Sequence, residues 1–208
     1  MKYVIMCGGD YASFKKPKQL TVVNGETLVD RTIRLLHENG AEDVFISSNN
    51  PTFDGHGVER LTHNNTFKVL DGVTLNGYWL DAFYPDFPID TQVTYLFGDV
   101  YFSEEAIKTI VNADVSVNTL VGNSVAKNKE HENWGEPFAY IVTDYGTFMK
   151  GVNAVKKLWD QGKLVRHPIV WELYRYLNRL DVNVQQIIDR TYICIDDETI
   201  DFDIPIGG

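Results

Sequence analysis

The chain has 208 residues, of which 44% are hydrophobic, and a formal net charge of −10. This length predicts one domain with a full core, and the acidic balance argues against nucleic acid, because duplex binding needs a basic surface. The sequence contains no apolar run of roughly eighteen residues to span a membrane and no signal-peptide pattern at its start. The two cysteines, Cys7 and Cys194, predict reduced thiols and a cytoplasmic location.

Apolar runs alternate with amphipathic segments along the chain, which predicts an α/β fold. The expected strands are 3–7, 44–47, 91–97, 115–121, 138–142, 182–188 and 191–195. The expected helices are 27–39, 75–84, 104–111, 145–161 and 169–180. The first strand, helix and strand predict a right-handed parallel crossover, and such sheets bind ligands beyond the carboxyl ends of their strands.

The first strand runs directly into a glycine turn and then into a lysine cluster. Glycines at Gly8-Gly9 let backbone N–H groups approach an anion closely, since no Cβ intervenes. Pro17 stiffens the chain between the lysines that follow, which are Lys15, Lys16 and Lys18. An apolar strand, a glycine turn and three cations in this order indicate a cradle for a triphosphate.

Gly8-Gly9 followed by Pro17-Lys18-Gln19-Leu20 resembles the nucleotide-binding signature of the sugar-phosphate nucleotidyltransferases, and Val23–Thr32 continues the likeness. The resemblance covers nearly the whole chain. It implies an α/β fold, a three-layer α/β/α Rossmann-like mixed sheet of the nucleotide-diphospho-sugar transferase type. It also implies one domain, 1–208, in which 1–121 binds nucleotide and 122–208 binds the acceptor and supplies the closing strands.

The same resemblance implies which residues meet the nucleotide. Lys18 and Lys16 are expected to be catalytic, and Lys15 or Lys16 would replace an arginine that the family usually carries in its glycine loop. The nucleotide-binding residues would be Cys7, Gly8, Gly9, Asp10, Lys15, Lys18, Asp71, Gly72 and Asp99. For Asp71-Gly72, a plain surface turn is an equally good interpretation.

Asp99 follows a strand directly and should point into the crevice, where a carboxylate suits a hard cation. It could instead cap the helix that follows, although Ser103 is the better cap. The resemblance implies Mg²⁺ held by Asp99 and Asp203, because Phe202-Asp203-Ile204-Pro205 resembles a late metal-binding element of the family. Asp201 is the alternative, since alternate residues share a strand face.

The acceptor is expected to meet the second half of the chain, at Trp134, Glu136, Arg166 and Glu172. Trp134 lies beside a Gly-x-Pro turn, where closing the core is an equally good role. Arg166 precedes a predicted helix, and the start of a helix favours an anion. A carboxylate and a cation together would suit an amino-acid acceptor.

The implied reaction moves NMP from an NTP to a small phosphorylated acceptor and releases pyrophosphate. Compact members of the family are commonly cytidylyltransferases, which favours CTP. Met6–Gly9 and Gly25–Val29 resemble the phosphoglutamine cytidylyltransferases of capsule modification, with a sugar 1-phosphate or phosphocholine as alternative acceptors. A nucleotide-sugar glycosyltransferase and a non-catalytic nucleotide-binding regulator also stay open, as does a homo-oligomer.

Overall fold

The computed structural model of the protein describes residues 1–8, 10–11, 16–62, 68–70, 73–75, 77–124 and 135–202. The strands are β1 (Lys2–Met6), β2 (Asp10–Tyr11), β3 (Val22–Val23), β4 (Glu26–Thr27), β5 (Val44–Ser47), β6 (Glu59–Leu61), β7 (Lys68–Leu70), β8 (Val73–Leu75), β9 (Val93–Phe97), β10 (Val100–Tyr101), β11 (Thr119–Gly122), β12 (Pro137–Val142), β13 (Tyr192–Cys194) and β14 (Ile200–Asp201). The α-helices are α1 (Leu28–Glu38), α2 (Glu104–Val111), α3 (Tyr145–Asp160) and α4 (Val170–Leu177). Short 3₁₀ helices cover Lys18–Leu20, Pro51–Phe53, Trp79–Ala82 and Asp189–Thr191.

A seven-stranded mixed sheet forms the centre of the molecule, in the order β13-β11-β12-β9-β1-β5-β6. Only β12 runs against its two neighbours in this sheet. Strand β1 lies between β9 and β5 and is parallel to both, so the predicted β1-α1-β5 crossover is confirmed. The carboxyl ends of β1 and β9 therefore meet at the same edge of the sheet.

The helices begin and end where the sequence places capping residues. Thr27 accepts a bond from the N–H of Asp30 at the start of α1, and Ser103 accepts one from Ala106 at the start of α2. These hydroxyls satisfy N–H groups that the first helical turn leaves unpaired. Helix α1 ends just before Gly40, whose φ of +85° stops the helix at low cost.

An aromatic cluster fixes α3 against the sheet. The ring of Phe148 lies 5.0 Å from Phe83, 5.1 Å from Tyr140 and 5.9 Å from Tyr95. Offset and edge-on ring pairs at such distances add to the hydrophobic gain of burial. Helix α3 in turn contacts α4, and α1 contacts α2. Sheet and helices together make the three-layer α/β/α arrangement that the sequence predicts.

The predicted helix over 75–84 is wrong. Strand β8 ends at Leu75, and only a short 3₁₀ helix, Trp79–Ala82, follows. Gly77 has a φ of +94°, which turns the chain out of a helical path. The resulting turn brings the Trp79 ring to 5.5 Å from Phe97, so tertiary packing outweighs the local helical pattern.

The predicted strand over 182–188 is also wrong. There the backbone bonds to a side chain instead of a neighbouring strand. The hydroxyl of Tyr174 accepts a bond of 2.8 Å from the N–H of Ile188 and donates one of 3.2 Å to its carbonyl. Backbone polar groups must be paired somewhere, and here a distant tyrosine satisfies them.

Candidate active site

A cleft of about 330 Å³ opens beside the carboxyl ends of β1 and β9. This edge is where α/β sheets bind ligands. The lining combines apolar and charged side chains from both halves of the chain: Met6, Gly8, Lys18, Gln19, Trp79, Ala82, Phe97, Asp99, Glu136, Pro137, Arg166, Ile169, Val170, Trp171 and Asp201. Convergent charges in a mainly preformed pocket identify it as the candidate active site.

Lys18 and Asp99 form an ion pair within this cleft. The Nζ of Lys18 lies 2.9 Å from Oδ2 of Asp99, and the two side chains are 2% and 18% exposed. Pro17 precedes the 3₁₀ helix that begins at Lys18 and sets the direction in which the chain enters it. A buried ammonium needs an opposite charge, so Asp99 holds Lys18 in the wall of the cleft.

Gly98 allows the end of β9 to approach β1. A Cβ added there would lie 2.6 Å from the carbonyl oxygen of Met6 and 2.9 Å from Sγ of Cys7. The N–H of Gly98 donates to that same carbonyl at 3.1 Å. Only glycine fits such an approach, and it brings Asp99 beside the turn at Gly8.

The C-terminal segment delivers a second carboxylate to the cleft. Strand β14 pairs antiparallel with β10, which sets Asp201 opposite Val100, and the N–H of Phe202 donates to the carbonyl of Asp99 at 3.0 Å. Asp201 lines the cleft together with Asp99. Residues 200–202 thus lie alongside the end of β9 and β10.

Two carboxylates in one cleft fit a hard divalent cation, which completes its coordination with phosphate oxygens and water. Within the described ranges, no group of three or more His, Cys, Asp and Glu side chains has the arrangement of a metal site. The described carboxylates that line the cleft are those of Asp99, Glu136 and Asp201. Asp99 and Asp201 are the candidates to hold Mg²⁺, because the bond from the Phe202 N–H to the Asp99 carbonyl holds their backbones side by side. Asp203, the ligand implied by the resemblance, lies outside the described residues.

Cys7 lies directly behind the cleft and is buried. Burial, reinforced by the negative charge of Asp99, raises the pKa of its thiol well above the usual value. A buried thiol with a raised pKa is a poor nucleophile at physiological pH. Its backbone N–H donates to the carbonyl of Ser47 at 2.9 Å, which ties the end of β1 to β5.

Arg166 reaches the cleft from the link between α3 and α4, and Glu172 lies buried behind it. The Nε of Arg166 donates to Oε1 of Glu172 at 2.8 Å, and Arg175 donates to the same oxygen. Oε2 of Glu172 accepts from the N–H of Ile169 at 2.9 Å. Burial lowers the pKa of Arg175, and the charge of Glu172 opposes that shift.

The backbone of Glu136 is fixed at the edge of the cleft by Asn123. Asn123 N–H donates to the carbonyl of Glu136 at 3.0 Å, and Glu136 N–H donates to Oδ1 of Asn123 at 2.6 Å. The Tyr192 hydroxyl donates to the carbonyl of Asn123 at 2.7 Å. This reciprocal pairing continues the β11–β12 ladder into the cleft wall.

The structure brings six of the residues named from the sequence into the cleft: Gly8, Lys18, Asp99, Glu136, Arg166 and Asp201, the last of which was the alternative to Asp203. Cys7 and Glu172 lie behind it, Lys16 is exposed and does not line it, and Asp10 belongs to β2. The remaining predicted residues lie outside the described ones: Gly9, Lys15, Asp71, Gly72, Trp134 and Asp203.

Nine lining residues were not predicted from the sequence as site residues, among them Gln19, Trp79 and Trp171. Gln19 directly follows Lys18 in the Pro-Lys-x-Leu stretch, so its position in the sequence could have indicated a site residue. Trp79 and Trp171 give no such signal, because a tryptophan in an apolar segment usually packs in the core. Trp171 is in fact only 1% exposed.

A search of the described ranges finds no helix with the length and apolar character needed to cross a membrane.

Comparisons with known proteins show the fold. No protein-family model matches the chain, and no curated protein matches it. The chain is similar to a solved structure from Bacillus anthracis, which is assigned as a glucose-1-phosphate thymidylyltransferase and was crystallised with sucrose. The match covers 96% of this chain and 89% of that chain, with a TM-score of 0.58 and 16% sequence identity. The CTP:phosphocholine cytidylyltransferase of Streptococcus pneumoniae matches over 95% and 94%, with a TM-score of 0.48 and 16% identity, which is too weak to add support. The fold is a three-layer α/β/α mixed sheet of the nucleotide-diphospho-sugar transferase type.

Proposed function

We propose that the protein is a nucleotidyltransferase that transfers NMP from an NTP to a small phosphorylated acceptor and releases pyrophosphate. The observation that carries the proposal is the Lys18–Asp99 pair, which lies with Asp201 in a cleft at the carboxyl ends of β1 and β9. A cation for phosphate and carboxylates for Mg²⁺ are the groups that phosphoryl transfer requires.

In the proposed reaction, a phosphate oxygen of the acceptor attacks the α-phosphorus of the NTP. A new P–O bond forms, the bond from the α-phosphorus to the bridging oxygen breaks, and pyrophosphate leaves. The acceptor phosphate is already ionised at neutral pH, so the step needs no general base. Catalysis then consists of positioning and charge neutralisation.

The glycine turn and the lysines that follow it are the residues proposed to contact the phosphates. Lys18 would lie between the α-phosphate and the incoming anion, which otherwise repel each other. Backbone N–H groups of Gly8 and Gly9 would hold the β and γ phosphates. Lys15 or Lys16 would neutralise the leaving pyrophosphate.

When bound, Mg²⁺ would neutralise negative charge on the phosphates of the nucleotide. The residues proposed to hold it are Asp99 and one aspartate of the tail. The family resemblance favours Asp203, and the geometry of β14 favours Asp201. Gly98-Asp99-Val100 differs from the Asp-x-Asp that glycosyltransferases of this fold usually carry, which supports nucleotidyl transfer over glycosyl transfer.

For the substrates, we propose CTP as nucleotide and phosphoglutamine as acceptor, in the modification of a capsule or surface polysaccharide. Glu136 and Arg166 line the same cleft and would pair with the ammonium and carboxylate of an amino-acid acceptor. Trp134 would add a contact beside Glu136. A sugar 1-phosphate or phosphocholine is the alternative acceptor.

A pyrophosphate-release screen tests the proposal. Purified protein with Mg²⁺ is offered each of the four ribonucleoside triphosphates against phosphoglutamine, phosphocholine and a set of sugar 1-phosphates. We expect release only when an NTP and an acceptor are both present, with CTP and phosphoglutamine the fastest pair. Thermal stabilisation by nucleotide and Mg²⁺ without release from any pair would instead indicate a nucleotide-binding regulator.

A further inference from the structure

A buried charge cluster lies behind Arg166. The side chain of Glu172 is 2% exposed and that of Arg175 is 4% exposed, whereas that of Arg166 is 35% exposed. Arg166 lines the cleft, and neither Glu172 nor Arg175 is among the described residues that do so. The buried pair can therefore affect a ligand in the cleft only by acting on Arg166 and on the segment around it.

Glu172 gathers three donors from different parts of the link and α4. Oε1 accepts from Nε of Arg166 at 2.8 Å and also from Arg175, and Oε2 accepts from the N–H of Ile169. Nη1 of Arg175 donates to Oε1 of Gln185 at 2.5 Å. Such a network favours one orientation of the Arg166 guanidinium, because its Nε–H is bound to a buried carboxylate that two other donors also hold.

The cluster brings positive charge to the wall of the cleft. The Glu172 carboxylate contacts two guanidinium groups, those of Arg166 and Arg175. Of these two groups, Arg166 is the one that reaches the cleft. A buried ion pair is weak evidence for stability, because desolvation offsets most of the attraction. A role in orienting Arg166 explains why the charges are there better than packing does.

The backbone beside Arg166 has contacts of its own besides the bond from Ile169 to Glu172. The ring of His167 stacks on Tyr78 with centroids 5.9 Å apart and meets the edge of Trp159 at 5.4 Å. These ring contacts should keep His167 in place when the Glu172 carboxylate no longer binds Arg166.

We propose that Glu172 and Arg175 are positioning residues that orient Arg166 to bind an anionic group of the acceptor. This inference rests on the proposed function, because the acceptor is defined by that reaction. It predicts that the pair controls the KM for the acceptor, with little effect on the KM for the nucleotide or on kcat.

The test variant is the double substitution Glu172→Gln, Arg175→Met. Glu172→Gln alone would leave Arg175 buried without a counter-charge, which is strongly destabilising, whereas the double variant removes both charges at similar volume. Glu38→Gln is the matched control, because it removes a carboxylate that binds Arg34 at 2.9 Å on the exposed surface. If the double variant does not fold, Glu172→Asp withdraws the carboxylate from Arg166 by one methylene and gives the same comparison.

Two measurements are made on each variant. The first is pyrophosphate release with both substrates varied, using the acceptor that the wild-type protein prefers. The second is the arginine Nε–H spectrum of the protein alone and with inorganic phosphate, in which Arg166→Lys assigns the Arg166 signal. We expect the acceptor KM to rise about 10- to 100-fold, the Arg166 signal to move toward that of free arginine, and the Glu38→Gln protein to match the wild type.

An unchanged acceptor KM or an unchanged Arg166 signal would overturn the positioning role. So would an equal loss toward both substrates, since that indicates general damage to the fold. If the wild-type protein releases no pyrophosphate from any pair, the proposed function fails, and the spectrum of Arg166 still decides whether Glu172 and Arg175 orient it.

Discussion

The ammonium of Lys18 contacts the carboxylate of Asp99 at 2.9 Å, within the cleft and largely out of contact with solvent. In the proposed reaction, Lys18 meets the α-phosphate and Asp99 holds Mg²⁺, so the ion pair links these two roles. A nucleotide that arrives with its cation can offer each partner a replacement counter-charge. The same contact would let a protein with a net charge of −10 bind the anionic nucleotide that we propose as its substrate.

Lys18→Ala should lower turnover by about 10²- to 10³-fold, as loss of a preorganised charge contact in an active site commonly does. The protein should stay folded, because the substitution removes a buried charge and leaves Asp99 partly exposed to water. Pyrophosphate release and a thermal melt measure the two properties. Lys108→Ala serves as the control, since Lys108 is an exposed lysine paired with Glu105. Near-normal turnover of Lys18→Ala would refute the catalytic role.

Asp99→Asn should raise the Mg²⁺ concentration needed for half-maximal rate by at least ~10-fold, because a carboxylate ligand is lost. Weaker binding of Mn²⁺, followed by electron paramagnetic resonance, should accompany the kinetic effect. Asp201→Asn and Asp203→Asn are measured side by side, and the one that reproduces the Asp99→Asn effect identifies the second carboxylate. If neither does so, the two-carboxylate site is wrong.

Gly98→Ala should destabilise the protein by about 1–3 kcal/mol, since the new methyl group would overlap backbone and sulfur atoms at the end of β1. Gly146→Ala is the matched control. Its new methyl group would meet mainly the side chain of Ile89, which is 71% exposed and can turn away, and alanine favours the helix. Urea unfolding of both variants measures the difference, and equal stability would contradict the close approach of β9 to β1.

The free energy of unfolding should fall as the pH rises above about 9. Burial raises the pKa of Cys7 above its usual 9.0 and that of Tyr140 above its usual 10.0. Between the unfolded and folded pKa values, the unfolded chain loses a proton that the native chain keeps. The stabilisation is thus complete below the unfolded pKa and is lost above it, at up to about 1.4 kcal/mol per pH unit for each group.

Urea unfolding at pH 8, 9, 10 and 10.5 checks this prediction. Tyr140→Phe should flatten the decline above pH 10, and the change is a mild one, because the Tyr140 hydroxyl has no hydrogen-bond partner among the described residues. Stability that stays constant or increases over this range would contradict the buried, neutral state of these groups.

Local patterns were enough to predict the crossover at the centre of the fold. The apolar run of β1, the face of α1 and the cap at Gly40 are all readable from adjacent residues, and the structure confirms them. The segment over 182–188 could not be predicted, because its backbone bonds depend on Tyr174 in another element. The short helix at Trp79 likewise follows from contacts with residues distant in sequence.

In the candidate site, too, some residues could be predicted from their neighbours in sequence, and others depend on distant parts of the chain. Lys18 and Asp99 each stand next to a strand or turn that is visible in the sequence, so both could be named before the fold was known. For the second carboxylate, the alternation of residues along a strand left Asp203 and Asp201 both open, and Asp201 lines the cleft through the pairing of β14 with β10. Trp171 has no local signal, because its place in the cleft wall depends on how α4 packs.

The most direct test of the account is the identity and ratio of the products formed from an NTP and its acceptor. Mass spectrometry of the reaction should show an NMP-linked acceptor and pyrophosphate in equal amounts, and neither product when one substrate is omitted. Release of a nucleoside diphosphate, or of NMP without a linked acceptor, would contradict nucleotidyl transfer in this cleft.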